Sequence, residues 1–201
     1  PWRRCLRLEA GAITWDSLVK KRDKRVLRRY HSKRPTHTAR RLPIRMFELK
    51  CPHLVNADTH LLQPHSDHAR ELFALIQSNL THRNQWLSWP ALMKTPLDVA
   101  SFLNTAARHN RAGTALILLL QYQGKICGVL SYNDFQAHEG SANIGYWLGE
   151  AYQGDGIVST ALPVLVQYGF TQLGLKQVFI RVAEGNDKSA AIPKRLGFQL
   201  I

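Results

Sequence analysis

Apolar positions along the chain fall into two rhythms. Helical spacing appears four times. Downstream of Ser66, which is placed to cap a helix, Ala69, Leu72, Phe73, Ile76 and Leu80 share one face. Downstream of Thr95 come Pro96 at the first helical position, Asp98 where its charge meets the dipole, and Val99, Phe102, Leu103 and Ala106 on the buried side, up to Asn110–Gly113. A third helix carries Ile157, Ala161, Val164, Leu165 and Tyr168, with Gly174 as its stop, and a fourth covers Asn186–Leu196. Interior prolines, Pro163 and Pro193, predict kinks, since proline inside a helix costs about 3 kcal/mol.

Strand rhythm fills the spaces between. Phe47–Leu62 supplies a first strand or strands, with Thr59–Gln63 the better candidate. Ala115–Tyr122 and Lys125–Asn133 flank Gln123-Gly124 and read as a hairpin. Ala142–Leu148 is apolar and aromatic and suits a buried strand; Gln177–Val182 is the next. The order is strand, two helices, three antiparallel strands, helix, strand, helix. The predicted fold class is α/β (α+β): a mixed, mostly antiparallel sheet flanked by helices.

The strand ending at Leu148 and the helix starting at Ile157 are joined by a turn containing Gln153-Gly154-Asp155-Gly156. Strand, glycine turn and helix together present a row of free N–H groups, because the first turn of a helix has unpaired donors and the positive end of the dipole. Glycine lets a phosphate come close. The Walker loop is excluded, since Ile157-Val158 stands where Lys-Ser/Thr would be needed, and the three-glycine dinucleotide fingerprint is absent.

Ile144-Gly145-Tyr146-Trp147-Leu148 followed by Gln153-Gly154-Asp155-Gly156-Ile157 resembles the acetyl-CoA loop of the GNAT N-acetyltransferases. Three more pieces, in the family's order, resemble the branch that acetylates the N-termini of ribosomal proteins: Trp86-Leu87-Ser88-Trp89-Pro90, Gly128-Val129-Leu130-Ser131-Tyr132-Asn133, and Asn186-Asp187-Lys188-Ser189 leading to Leu196-Gly197-Phe198. The resemblance runs from about Met46 to the end. It implies acetyl-CoA as donor, no metal, and a ribosomal protein N-terminus as acceptor, in the cytoplasm, by a monomer or homodimer. Backbone N–H groups of Gln153, Gly154, Asp155, Gly156, Ile157 and Val158 would receive the pyrophosphate. The strand residues Tyr146, Trp147 and Leu148 would hold the pantetheine arm, with an N–H near Leu148 polarising the thioester carbonyl. The family often has Gly or Ala where Val158 stands, although larger residues occur in the ribosomal branch. The resemblance also implies that Asn186 contacts the cofactor arm and that Ser189 protonates the departing thiolate; both residue types equally suit a helix cap. Trp86, Trp89, Tyr132 and Asn133 would line the acceptor cleft, the tryptophans having a packing role as the alternative. The branch's usual base is a glutamate beyond Ile201, and Glu150 and Glu184 are the alternatives within the chain. Family members continue with two further strands, so the sheet is predicted to lack them and to leave Gln177–Val182 with an unpaired edge.

Charge divides the chain in two. Its net +13 lies almost wholly in residues 1–45, which hold 15 Lys/Arg against 3 Asp/Glu; residues 46–201 hold 12 against 11. Residues 1–45 therefore read as a basic extension, unfolded until it meets an anion or without a role of its own, and residues 46–201 as the acetyltransferase domain. A weak ribosomal RNA contact through the extension is one reading, and a non-enzymatic RNA-binding protein is the competing class. A second enzyme reading changes the acceptor to a polyamine or aminoglycoside. Those cations want an acidic cleft, which a nearly neutral domain does not favour. Three widely spaced cysteines, Cys5, Cys51 and Cys127, fit a reducing compartment rather than a disulfide frame, and the nine histidines match no zinc spacing. No apolar run reaches the ~18–20 residues of a membrane span.

Overall fold

The structure is a computed structural model, and it describes residues 2–10, 53–79, 92–136 and 138–201. The strands are β1 (Trp2–Glu9), β2 (His53–Leu54), β3 (Thr59–Leu62), β4 (Leu116–Tyr122), β5 (Lys125–Gln136), β6 (Ser141–Leu148), β7 (Gln177–Ala183) and β8 (Gln199–Leu200). The helices are α1 (Ala69–Gln77), α2 (Pro96–Ala112), α3 (Ile157–Thr171) and α4 (Asp187–Arg195). All eight strands form one sheet in the order β2-β3-β4-β5-β6-β7-β1-β8. Every pairing is antiparallel except β6 with β7.

Local chemistry explains most of the boundaries. Thr95 caps α2 in a reciprocal box: its hydroxyl accepts from the Asp98 N–H at 3.2 Å, and the Asp98 carboxylate accepts from the Thr95 N–H at 2.8 Å. Gly113, at φ 69°, ends that helix. Gln123 and Gly124 both take positive φ, 48° and 79°, as a two-residue hairpin between right-twisting strands requires. Ser66 is not a helix cap. It opens a single 3-10 turn, Ser66–His68, and the capping acceptor there is His65 Nδ1, at 3.3 Å from the Asp67 N–H. Pro163 is buried inside α3, which continues through it as one helix over Ile157–Thr171.

The sheet's two faces carry separate cores. On one, α3 and α4 cover Leu118, Leu130, Tyr132, Ile144, Ile180, Leu6 and Leu8. On the other, α1 and α2 cover Leu119, Ile126, Val129 and Trp147.

The edge beside β7 differs from the sequence expectation. It is occupied by β1, from the basic extension, running antiparallel with Leu6 opposite Ile180 and Leu8 opposite Val178. The closing residues form β8 on the outer side of β1, with Leu200 opposite Leu6. Alternation accounts for this: Leu6 and Leu8 are 0% and 2% exposed, whereas Arg4, Cys5, Arg7 and Glu9 are not buried. The count of charges hid a strand with two good core residues. The lysine and arginine run at 20–29 lies outside the described residues. Among the described residues no helix is long and apolar enough to cross a membrane.

Candidate active site

The site begins where two strands part. Parallel pairing of β6 with β7 runs from Ser141 opposite Gln177 to Ile144 opposite Ile180 and stops there, although β6 continues to Leu148 and β7 to Ala183. The Gly149 N–H donates to the Cys127 carbonyl at 2.8 Å, in register with the β5–β6 ladder. Backbone groups alternate sides along a strand, so Trp147 and Gly145 also face β5, while the N–H and C=O of Tyr146 and Leu148 turn into the gap beside β7. A strand edge that opens inside a fold offers a ready set of hydrogen-bond partners to an extended ligand.

The turn beyond β6 points the next helix at this gap. Gly154 and Gly156 have φ of 100° and 73°. A Cβ built at either meets nothing within 4 Å, so it is the left-handed backbone, not crowding, that calls for glycine. Gly156 is the N-cap of α3, and the first-turn N–H groups of Ile157, Val158 and Ser159 have no carbonyl one turn earlier to bond. The Gln153 N–H is already committed to the Glu150 carbonyl at 3.0 Å.

A cavity of about 1160 Å³ joins these features and passes between β6 and β7 from one face of the sheet to the other. Gly154, Gly156, Ile157, Val158 and the first residues of α4 line one side. Val129, Ser131, Asn133, Asp134, Asn143 and Trp147 line the other. The register explains the second set: Val129 faces Trp147, Ser131 faces Gly145 and Asn133 faces Asn143 across one face of the hairpin. Polar links run along it. The Asn133 amide donates to Ser131 Oγ at 3.0 Å, and the Asn143 amide donates to the Asp134 carboxylate at 3.1 Å. Asp134 itself takes φ 50°, uncommon for a residue with a Cβ, within the irregular pairing between Asn133 and Gln136.

On the α4 side, Asn186 caps the helix by accepting from the Ser189 N–H at 3.2 Å. Ser189 and Tyr146 make a closed pair: Ser189 Oγ donates to the Tyr146 phenol oxygen at 3.0 Å, and the phenol donates to the Ser189 carbonyl at 2.8 Å. Burial pushes the Tyr146 phenol up to about 12, against smaller opposing effects of the Ser189 bond and the Arg195 charge, so the phenol keeps its proton at neutral pH. Lys188 and Arg195 add positive charge on this side.

The cavity therefore gathers Tyr146, Trp147, Leu148, Gln153, Gly154, Gly156, Ile157, Val158, Asn186, Ser189 and Asn133. Asp155, Glu150, Glu184 and Tyr132 are not among its lining residues. Glu150 is carried outward by the 3-10 turn Glu150–Tyr152, its N–H fixed by Asn79 Oδ1 at 2.6 Å, and Glu184 is exposed beyond β7. Tyr132 is fully buried on the opposite face, its hydroxyl donating to the Leu165 carbonyl at 3.0 Å, so it cannot touch an acceptor in the cleft. Trp86 and Trp89 lie outside the described residues. Sequence reading missed Ser131, Asp134, Asn143 and Arg181. Alternation from Asn133 would have reached Ser131, but the pairing of Asn133 with Asn143 depends on register. Among the described residues no three His, Cys, Asp or Glu side chains gather as a metal site.

The family profile described as acetyltransferase (GNAT) domain matches residues 59–199. The ribosomal-protein-serine acetyltransferase of Escherichia coli (strain K12) is 31% identical over 135 residues, 67% of this chain and 75% of that protein. YdaF of Bacillus subtilis (strain 168) is 40% identical over 79 residues, which take in 39% of this chain and 43% of that relative, less than half its length. Among solved structures, the microcin C7 self-immunity acetyltransferase MccE, in complex with acetyl-CoA and AMP, is similar with a TM-score of 0.67 and 36% identity, over 71% of this chain and 79% of that one.

Proposed function

The chain belongs to the GNAT acetyltransferase family, and on that premise we propose that it transfers the acetyl group of acetyl-CoA to the N-terminal α-amine of a protein, a ribosomal protein in particular. The observation that carries this reading is the cavity at the parting of β6 and β7. It has a helix N-terminus and two basic side chains on one side and an uncharged, hydrogen-bonding row leading to Asp134 on the other.

Acetyl-CoA would bring a thioester, an acyl group already activated toward an amine. The residues present fit it. The N–H groups at the start of α3, approached across Gly154 and Gly156, suit a pyrophosphate, with Arg195 and Lys188 adding charge. The Tyr146 and Leu148 backbone groups that face the gap suit an amide-bearing arm. The Leu148 N–H would polarise a carbonyl held against that edge. Asn186 holds the first turn of α4 in place, and the Ser189–Tyr146 pair keeps two hydroxyl protons beside the cavity. One of them, turned from its present partner, would donate to a departing thiolate, whose conjugate acid at about 8.5 asks little of the donor.

On the acceptor side the demand on a base is small. An α-amine has a pKa of about 7.7–8.0, so part of it is neutral near pH 7, whereas a lysine amine near about 10.4 is not. That difference favours an N-terminal amine in a cleft where neither sequence-proposed glutamate is found. The likeness to the Escherichia coli serine acetyltransferase supports the ribosomal choice and, with it, a cytoplasmic setting. The test is intact-mass and fragment analysis of a peptide panel incubated with the protein and acetyl-CoA. The panel contains ribosomal N-termini beginning with Ser or Ala, the same peptides with a blocked α-amine and an internal lysine, spermidine and an aminoglycoside. Acetylation of the free α-amine alone is expected. Acetylation of lysine or of the small amines in preference to it would overturn the assignment.

A further inference from the structure

The cavity does not end at Asp134. A second groove, of about 470 Å³, opens from it across the face of the sheet opposite α3 and shares Asp134, Asn143 and Arg181 with it. Its floor is set by register. Asn143 on β6 lies opposite Phe179 on β7, and Arg181 on β7 lies opposite Cys5 on β1. Their neighbours Ile144, Ile180 and Leu6 point the other way, into the core under α3. On this face α1 and α2 pack over β4, β5 and the Trp147 end of β6, and neither helix contributes a residue to the groove, whose lining comes from β1, β5, β6, β7 and the β5–β6 connection.

Resting on the acetyltransferase reading above, we infer that this groove is the track on which a polypeptide acceptor lies beyond its first residue. If the donor fills the side framed by α3 and α4, the acceptor amine enters from the opposite face. There, α2 closes one direction with Phe102 beside Ile117. The groove over β6, β7 and β1 is the continuation in the other. Its polar banks suit an extended peptide: the Arg181 guanidinium can donate to main-chain carbonyls, while the Asp134 and Glu139 carboxylates stand on the facing bank. Two carboxylates against one guanidinium favour a basic side chain at the second or third acceptor position. A small-molecule amine would use the cavity and ignore the groove. The N-terminal strand thus serves the acceptor as well as the sheet, because Cys5 is part of the floor.

Cys5 makes the track testable, since peptide mass spectrometry reads its labelling apart from that of Cys51, while Cys127 is fully buried and its thiol is pushed up to about 12. The full chain is treated with N-ethylmaleimide and labelling at Cys5 is read by peptide mass spectrometry, alone, with serinamide, and with a hexapeptide amide beginning Ser-Ala-Lys. Expected is labelling of the free protein, slowed at least fivefold by the hexapeptide and unchanged by serinamide. In parallel, Cys5→Phe, which fills the floor, and Glu139→Lys, which reverses charge at the rim, are expected to raise KM for the hexapeptide about tenfold, with KM for serinamide and acetyl-CoA unchanged. If Cys5→Phe does not fold, Glu139→Lys and the protection experiment decide. Equal effects on hexapeptide and serinamide, or no protection, overturn the track while leaving acetyl transfer intact. Cys5 already shielded in the free protein also overturns it, and would point to the chain's own residues 11–52 as the occupant. Failure to acetylate either acceptor counts against the enzyme reading itself.

Discussion

Leu6→Ala is the most direct test of how the sheet closes. Leu6 is fully buried, lies opposite Ile180 on one side and Leu200 on the other, and belongs to the core under α3. Removing a leucine side chain from such a site costs about 2–5 kcal/mol, from the lost transfer free energy and the cavity left behind. A value of about 3 kcal/mol is expected, because two neighbouring strands on either side limit collapse into the space. Arg7 is the control. It sits one residue away on the opposite face and pairs with Glu9 at 3.4 Å, a partly exposed pair worth about 1 kcal/mol at most. Urea unfolding followed by tryptophan fluorescence gives both numbers. With a slope of about 2 kcal/mol per molar, Leu6→Ala moves the midpoint down by about 1.5 M, and Arg7→Ala by less than about 0.5 M. A shift under about 0.3 M for Leu6→Ala, or equal shifts for the two, would refute the placement of β1. A one-residue slip would exchange the faces and reverse the order of the two effects.

Three further outcomes follow from the site. Ser189→Ala and Tyr146→Phe each break the closed hydroxyl pair; each is expected to lower kcat about 10- to 100-fold with KM for acetyl-CoA changed less than threefold, and an unchanged kcat in both would remove the pair from the chemistry. Gly128→Ala drives a Cβ into the Trp147 carbonyl, with the Leu148 Cα 3.1 Å away, so it is expected to weaken acetyl-CoA binding at least tenfold by displacing the β6 edge, whereas Gly124→Ala, with nothing within 4 Å but a φ of 79°, costs stability only; calorimetric titration separates the two. The Tyr146 phenol is raised to about 12 from 10 mainly by burial, so its folded value lies above the unfolded one. Its contribution is whole below pH 10 and is lost as pH climbs toward 12, by about 2–3 kcal/mol, and thermal unfolding of Tyr146→Phe is expected to fall less steeply over that window than the parent; equal slopes would contradict the burial argument.

The legible parts of this molecule are those decided within a few residues. The start of α2 at Thr95-Pro96, the turn at Gln123-Gly124 and the glycine turn before α3 each follow from local backbone chemistry, and the structure has them where the pattern puts them. The apolar and aromatic run of β6 was readable as a strand for the same reason. What was not readable needed a partner far along the chain. Tyr132 looks like an acceptor contact beside Asn133, yet a strand turns successive side chains to opposite faces, and only the seating of α3 shows that its hydroxyl goes to Leu165. Asp134 and Asn143 are nine residues apart and become neighbours through the β5–β6 register. The N-terminal strand is the sharpest case. Composition averages Leu6 and Leu8 into a basic extension, while pairing over the length of β7 recovers them as core. The Arg4 guanidinium, one of the charges that suggested a loose arm, instead reaches Asp187 at 2.7 Å, at the first residue of α4. That contact ties the strand to the helix carrying Ser189. The same segment thus closes the sheet, borders the helix that carries Ser189 and, through Cys5, floors the groove on the other face, so a change in β1 bears on both arms of the cavity through the one strand, β7, that separates it from β6.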